Sequence, residues 1–126
     1  MRHEAYHRAA AAKDVDGVIA TFAEDLRFYS PTKKTPFEGK AIARWLFTQL
    51  FDVLEDFRFT ETVANEETAV LFFACRIAGR EAEGCDVLKF NEVGEISEFR
   101  VLIRPLPALA ALNEAMGARL ADAKIL

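Results

Sequence analysis

Asp86 is the residue whose neighbours in sequence point most directly to chemistry. In Cys85-Asp86-Val87-Leu88-Lys89-Phe90, the two-residue alternation of a strand puts Asp86 on one face with Leu88 and Phe90. Neither neighbour can satisfy a carboxylate. If that face lines a cavity, burial disfavours the charged form and raises the pKa, which suits an acid meant to donate a proton or hydrogen bond near neutrality. The alternative is an ion pair at the sheet surface with an arginine such as Arg76 or Arg100. Tyr6, in an Ala-rich stretch, offers a second donor: its hydroxyl either points into a pocket, or the ring packs between helices with a wet tip. Arg100 and Arg104 share a strand face with Leu102, and Glu98 precedes Arg100 by two positions. Ion pairing along or across strands is the ordinary outcome there, and a cationic clamp on a ligand carboxylate is the functional one.

Other reactive side chains form no recognisable set. His3 and His7 stand at i and i+4, a spacing that can hold a metal, but they lie at a fraying terminus with no acidic motif beside them, so solvated histidines and no metal site are expected. Cys75 and Cys85 are too few for a disulfide framework or a zinc site. Reduced, semi-buried thiols on neighbouring strands are expected, within reach of a cross-strand contact. Serine, cysteine and histidine give no nucleophile, base and orienter. There is no Gly-rich phosphate loop, and no cofactor is expected.

The chain has 126 residues, 52% of them hydrophobic and 29% charged, with a net charge of −4. That length and apolar content fit one domain over residues 1–126 with its own core and no need of a staple. Scattered basic residues on an acidic chain exclude general nucleic-acid binding. No apolar run reaches membrane-spanning length, and the polar N-terminus is unlike a signal peptide, so a cytoplasmic protein is expected. Eleven phenylalanines are more than a core of this size requires, which points to an apolar cavity or a buried interface.

The elements that must position these residues change period midway. Residues 2–13 lack a breaker and read as a helix. Asp14 then caps a second helix, predicted to run to about residue 24 on the stripe Val15, Val18, Ile19, Phe22. A short strand follows over 26–30, then a Pro- and Lys-containing loop over 31–39. A third helix spans about 40–54, with Ile42, Trp45, Leu46, Leu50 and Val53 on its main face and Phe47 and Phe51 widening the apolar arc. From there the pattern is that of strands: 57–63, 68–78, 82–91 and 95–104, the last three linked by Gly-containing turns as an antiparallel meander. The tail over 108–126 carries Leu109, Leu112, Met116 and Leu120 as a helical stripe. Helices followed by a meander define an α+β fold.

The order helix, Lys13-Asp14-Val15-Asp16-Gly17, helix, Phe22-Ala23-Glu24-Asp25, strand ending Ser30-Pro31, Phe37-Glu38-Gly39, and a meander through Gly94-Glu95-Ile96 and Phe99-Arg100 resembles the NTF2-like superfamily over about residues 2–104. That group includes ketosteroid isomerases, SnoaL-like polyketide cyclases and limonene epoxide hydrolases. The resemblance implies a curved antiparallel sheet packed on helices as a cone around an apolar cavity, with a homodimer formed through the sheet and a small hydrophobic ligand as partner.

It also implies site roles. Tyr6 falls at the position of the tyrosine, and Asp86 at that of the protonated acid, which together form the oxyanion hole of ketosteroid isomerases, an enzyme whose pKa tuning is a standard worked case. Ser30 falls where those enzymes place their catalytic base, and a serine hydroxyl cannot shuttle a proton near neutral pH without an activating base of its own. Val101 replaces the last-strand acid of the epoxide hydrolases and cyclases. Phe22, Ser30, Trp45, Phe51, Leu88, Phe99 and Val101 are the expected pocket lining. Two functional classes follow: an isomerase, cyclase or lyase polarising a carbonyl or enolate through Tyr6 and Asp86, or a non-catalytic ligand-binding or dimeric interaction module.

Overall fold

The computed structural model describes residues 1–125, and the end of the expected tail helix, Leu126, lies outside the described residues. In chain order the elements are α1 (Glu4–Ala11), α2 (Val15–Ile19), β1 (Phe22–Tyr29), β2 (Phe37–Glu38), α3 (Lys40–Val53), β3 (Leu54–Ala64), β4 (Thr68–Ile77), β5 (Arg80–Phe90), β6 (Ile96–Arg104) and α4 (Leu106–Asp122). The strands form one 6-stranded sheet in the order β2-β1-β6-β5-β4-β3. Its β4–β6 portion is the expected meander, and β3 extends it, every adjacent pair being antiparallel.

Two local preferences set the N-terminal half. Asp14 caps α2, its carboxylate accepting the Gly17 N–H at 3.1 Å, which satisfies one of the orphan donors of a helix start. The predicted helix to residue 24 is corrected: α2 ends at Ile19, and Phe22 opens β1. Thr21 Oγ1 donates to the Val18 carbonyl, and the Ile96 N–H donates to the Thr21 carbonyl. The chain is thereby drawn into parallel pairing with β6, Phe22 opposite Ile96 and Tyr29 opposite Arg100. Phe22 fits the helical stripe and the strand alike, and sheet pairing wins.

The helix α3 is held at both ends by distant parts of the chain. At its start, Gly39 adopts φ +94°, a conformation that suits glycine, and its N–H donates to the Leu26 carbonyl in β1 at 2.8 Å. At its end the last turn carries no basic residue of its own. Lys13 Nζ, from the α1–α2 turn, donates instead to the carbonyls of Phe51 and Leu54, each at 2.9 Å. A cation at this negative pole of the helix satisfies exposed carbonyls and complements the dipole.

The core lies between the concave face of the sheet and the helices. Along β4, Ala69, Leu71, Phe73, Cys75 and Ile77 point inward and are buried. Phe72, beside Phe73, is 40% exposed on the outer face. α4 lies back across the concave side, burying Ala108, Leu112, Met116 and Leu120. Leu109, expected in that stripe, is only half-buried, because the four-residue repeat from Leu120 leads back to Ala108. Arg119 fastens α4 to α3 through Asp52 at 2.8 Å and Gln49 at 2.9 Å. At the centre Phe99 meets the rings of Tyr6, Phe22, Phe28 and Phe47 at centroid distances of 5.3, 5.8, 5.4 and 5.3 Å. Such pairs add to the burial energy of each ring. Phe99→Ala is therefore expected to cost about 3–5 kcal/mol, and Phe72→Ala about 1 kcal/mol or less, as read from urea denaturation midpoints.

Candidate functional site

Tyr6 and Asp86, 80 positions apart, meet in the interior: the Tyr6 hydroxyl donates to Asp86 Oδ2 at 2.6 Å. Each is placed by its element. Tyr6 lies on the inward face of α1 with Ala9 and Ala10, separations of three and four residues that share one side of a helix. Asp86 lies on β5 in a row across three strands, opposite Leu71 of β4 and Val101 of β6. Neither cross-strand neighbour can pair with a carboxylate, and among the described residues Tyr6 is its hydrogen-bond partner. The surface alternative for Asp86 is thus excluded: Arg76 pairs with Asp56 at 3.1 Å and Arg100 with Glu98 at 3.2 Å, while Asp86 is 4% exposed and the sole buried polar or charged residue among those described.

The electrostatics of the pair follow from that burial. Loss of solvent pushes the Asp86 carboxyl up from 3.8 to about 7, and the Tyr6 hydrogen bond pulls it only part of the way back. The Tyr6 phenol is raised well above its ordinary value by burial and then by the adjacent Asp86, so the tyrosine stays a donor. Near neutrality Asp86 is therefore divided between its acid and carboxylate forms.

The pair opens onto a cavity of about 60 Å³ whose walls are almost wholly apolar. That volume holds several waters or one end of a small molecule. α3 contributes Leu46, Phe47, Leu50 and Phe51, β3 and β4 contribute Phe57 and Phe73, and α4 closes one side with Leu112, Met116 and Leu120. Ser30, Phe51, Phe99 and Val101 are among its lining residues. Ser30 Oγ is buried there without a hydrogen-bond partner.

Three expected lining residues stand elsewhere. Phe22 is fully buried behind the wall, its ring on Phe47 and Phe99, because it belongs to β1. Trp45 is half-buried on the flank of α3, since the residues at 46, 47, 50 and 51 form the helix face turned to the cavity. Leu88 is sealed in the core between Ala69 and Phe99 on the flanking strands. Sequence reasoning in turn missed Lys33, in the loop after β1, and Phe37, which opens β2. Nothing in their local pattern marks them. Phe73 and the α4 stripe were visible as core periodicity but not as lining.

The remaining candidates are settled by their contacts. Cys75 points inward from β4 and Cys85 outward from β5, in register with Ala82 and Phe72 respectively, and both are free. Burial raises the Cys75 thiol to about 11, so it is a poor nucleophile. The His7 ring lies against Phe59 at 4.6 Å. No group of three or more metal-ligating side chains occurs among the described residues, and none of their helices is long and apolar enough to cross a membrane.

A family model for the SnoaL-like domain matches residues 3–99, and the chain belongs to that family. Among solved structures, a steroid delta-isomerase from Pseudomonas aeruginosa is 32% identical, with a TM-score of 0.86 over 96% of this chain and 90% of that one. A bacterial protein with a cystatin-like fold from Silicibacter pomeroyi is 28% identical, with a TM-score of 0.91 over 95% and 85% of the two chains. The epoxide hydrolase/cyclase-like enzyme SalBIII, of pyran ring formation in polyether salinomycin, shares the fold at 21% identity and a TM-score of 0.68 over 85% and 92%. No curated protein matches the chain. The NTF2-like α+β architecture expected from the sequence is thus the observed one, with a sheet that curves without closing.

The raised acid makes a prediction about stability. Unfolded Asp86 ionises near its ordinary value of 3.8, whereas the folded protein keeps the proton until about pH 7. The folded state therefore binds more protons across that window, and stability falls as pH rises through it, by roughly 4 kcal/mol at most. Asp86→Asn lacks this penalty. Its stability relative to the natural protein should increase between about pH 5 and pH 8, measured by urea midpoints at both values, and a difference independent of pH would refute the assignment.

Proposed function

We propose that this SnoaL-like domain binds a small hydrophobic carbonyl compound in the cavity and polarises it through Tyr6 and Asp86. The observation that carries this reading is the Tyr6–Asp86 hydrogen bond at the wall of an otherwise apolar cavity. A ligand oxygen beside the pair would receive a hydrogen bond from the neutral acid, itself supported by the tyrosine. In a medium of low polarity such donors stabilise negative charge developing on an enolate oxygen, the requirement shared by isomerase, cyclase and lyase chemistry. The P. aeruginosa steroid delta-isomerase, 32% identical, supports the same class.

A second reading, a non-catalytic binding domain, is favoured by one observation. Among the described residues Asp86 is the sole carboxyl group lining the cavity, and the resemblance to this superfamily implies further acids where Ser30 and Val101 stand here. Deuterium uptake from heavy water into a panel of unsaturated ketones separates the two: uptake abolished by Asp86→Leu supports catalysis, and none at any pH supports binding alone.

Binding itself is tested with 2-naphthol, whose hydroxyl stands for the enol of a substrate, followed by fluorescence. Tyr6→Phe and Asp86→Leu are each expected to weaken it about tenfold. Affinity should fall as pH rises through about 7 and Asp86 loses its proton, and Asp86→Asn should remove that pH dependence. Equal affinity in all the variants would overturn the proposal.

The expected homodimer belongs to the same proposal. Support comes from the outer face, where Phe72, Cys85 and Leu102 stand in one row across β4, β5 and β6, with Phe72 and Leu102 40% and 50% exposed. The Arg104–Glu83 pair flanks the row, so a second copy would meet both signs of charge around an apolar centre. Sedimentation should show a dimer for the natural protein and a monomer for Leu102→Asp.

A further inference from the structure

The cavity has a cationic mouth. β1 stops pairing with β6 at Tyr29↔Arg100, and the chain leaves the sheet through Ser30, Pro31, Thr32, Lys33 and Lys34. Where it departs, a cleft of about 400 Å³ opens beside β6 and shares Ser30, Pro31, Lys33, Val101 and Ile103 with the cavity wall. Its charged lining is Lys33, Lys34 and Arg100, with no carboxylate among them, on a chain whose net charge is −4. Lys33 and Lys34 make no ion pair among the described residues. Lys33 instead sits over the Phe37 ring at 5.3 Å. Arg100 is held by Glu98 at 3.2 Å and by stacking on Tyr29 at 4.2 Å. Between this cationic rim and the apolar interior lies Ser30, whose Oγ is buried with no partner. A buried hydroxyl left unsatisfied is costly, and a ligand atom would relieve that cost.

We infer that the cleft receives a carboxylate, so that the ligand is an amphipathic acid: an apolar body in the cavity, an oxygen toward Tyr6 and Asp86, and a carboxylate at the mouth between Ser30 Oγ, Lys33 and Lys34. This rests on the reading of the cavity as a ligand site and narrows its ligand from a hydrophobic carbonyl compound to one that also carries a negative charge. The geometry gives each part of such a molecule a separate surface. The interior offers a single polar pair, so an anion would be excluded there by desolvation. At the mouth the charge stays partly hydrated and meets lysines that make no ion pair among the described residues. Lysine suits this role, since its ammonium follows a carboxylate on a flexible stem, where a buried arginine fork would demand one fixed geometry.

The test uses two pairs of ligands that differ mainly in the acid group: 2-naphthol against 6-hydroxy-2-naphthoate, and decanol against decanoate, the flexible chain removing any dependence on ligand length. At low salt the acid of each pair should bind about tenfold more tightly, a gain that shrinks as salt screens the mouth. In the double variant Lys33→Gln, Lys34→Gln the gain should fall to about twofold or less, with the neutral ligand affected less than the acid. Ser30→Ala should weaken the acid several-fold while leaving the unliganded protein as stable as before or more so, because an unpaired buried hydroxyl is removed. That combination is not expected of a residue with a merely structural role. Equal affinity within each pair, or an acid preference that survives in the double variant, would overturn the inference and leave the cavity reading intact. Failure of all four ligands to bind would overturn the cavity reading itself, and this inference with it.

Discussion

The Tyr6–Asp86 hydrogen bond is the constraint around which the molecule is arranged. A carboxyl group deep in an apolar core is costly unless its charge is removed or its oxygens are satisfied. Here both remedies act together: the tyrosine supplies one strong bond, and loss of solvent holds the acid partly neutral. To deliver that bond, α1 must lie across the sheet with Tyr6 inward, which in turn fixes the α1–α2 turn. From that turn Lys13 reaches the end of α3, and α3 carries much of the cavity wall. One polar contact in the interior thus sets the position of a helix, a turn and, through Lys13, a second helix.

The pair is also where the core departs from what stability alone would select. An ordinary core would place a leucine at position 86, beside Leu71 and Val101 in the same row. The acid makes the folded state less stable as pH rises toward neutrality, and proteins commonly bear such penalties at their functional sites. Phe99 and its ring of neighbouring aromatics supply compensating burial next to the buried acid. The surplus of phenylalanine therefore has two uses: it stiffens the walls of a space that would otherwise collapse, and it offsets the cost of the polar pair inside it.

The sequence made the meander legible because strand periodicity is local. It also gave the capped start of α2, the core face of α4 and the division of Phe72 and Phe73 between the two faces of β4. Placement of Asp86 with apolar neighbours was visible in its own strand. Its partner Tyr6 came from likeness to a family, because a contact across 80 positions leaves no trace in either segment. The parallel pairing of β1 with β6 was hidden for the same reason, and with it the true end of α2, since Phe22 satisfies two periodicities at once. Trp45 was misplaced because a broad apolar arc on a helix does not say which part of it meets a cavity. Lys33 was overlooked because a loop has no period by which a residue's direction could be read.

The family description stops at residue 99, and α4 begins at Leu106. The polar pair and the aromatic centre lie inside the matched residues 3–99, whereas the wall formed by Leu112, Met116 and Leu120 lies beyond them, clipped to α3 by Arg119. The protein is in this sense built from a chassis and a fitted panel. Exchange of the panel's inward side chains would reshape the cavity while leaving the Tyr6–Asp86 contact untouched, so the shape of the space can be altered separately from the polar pair at its wall.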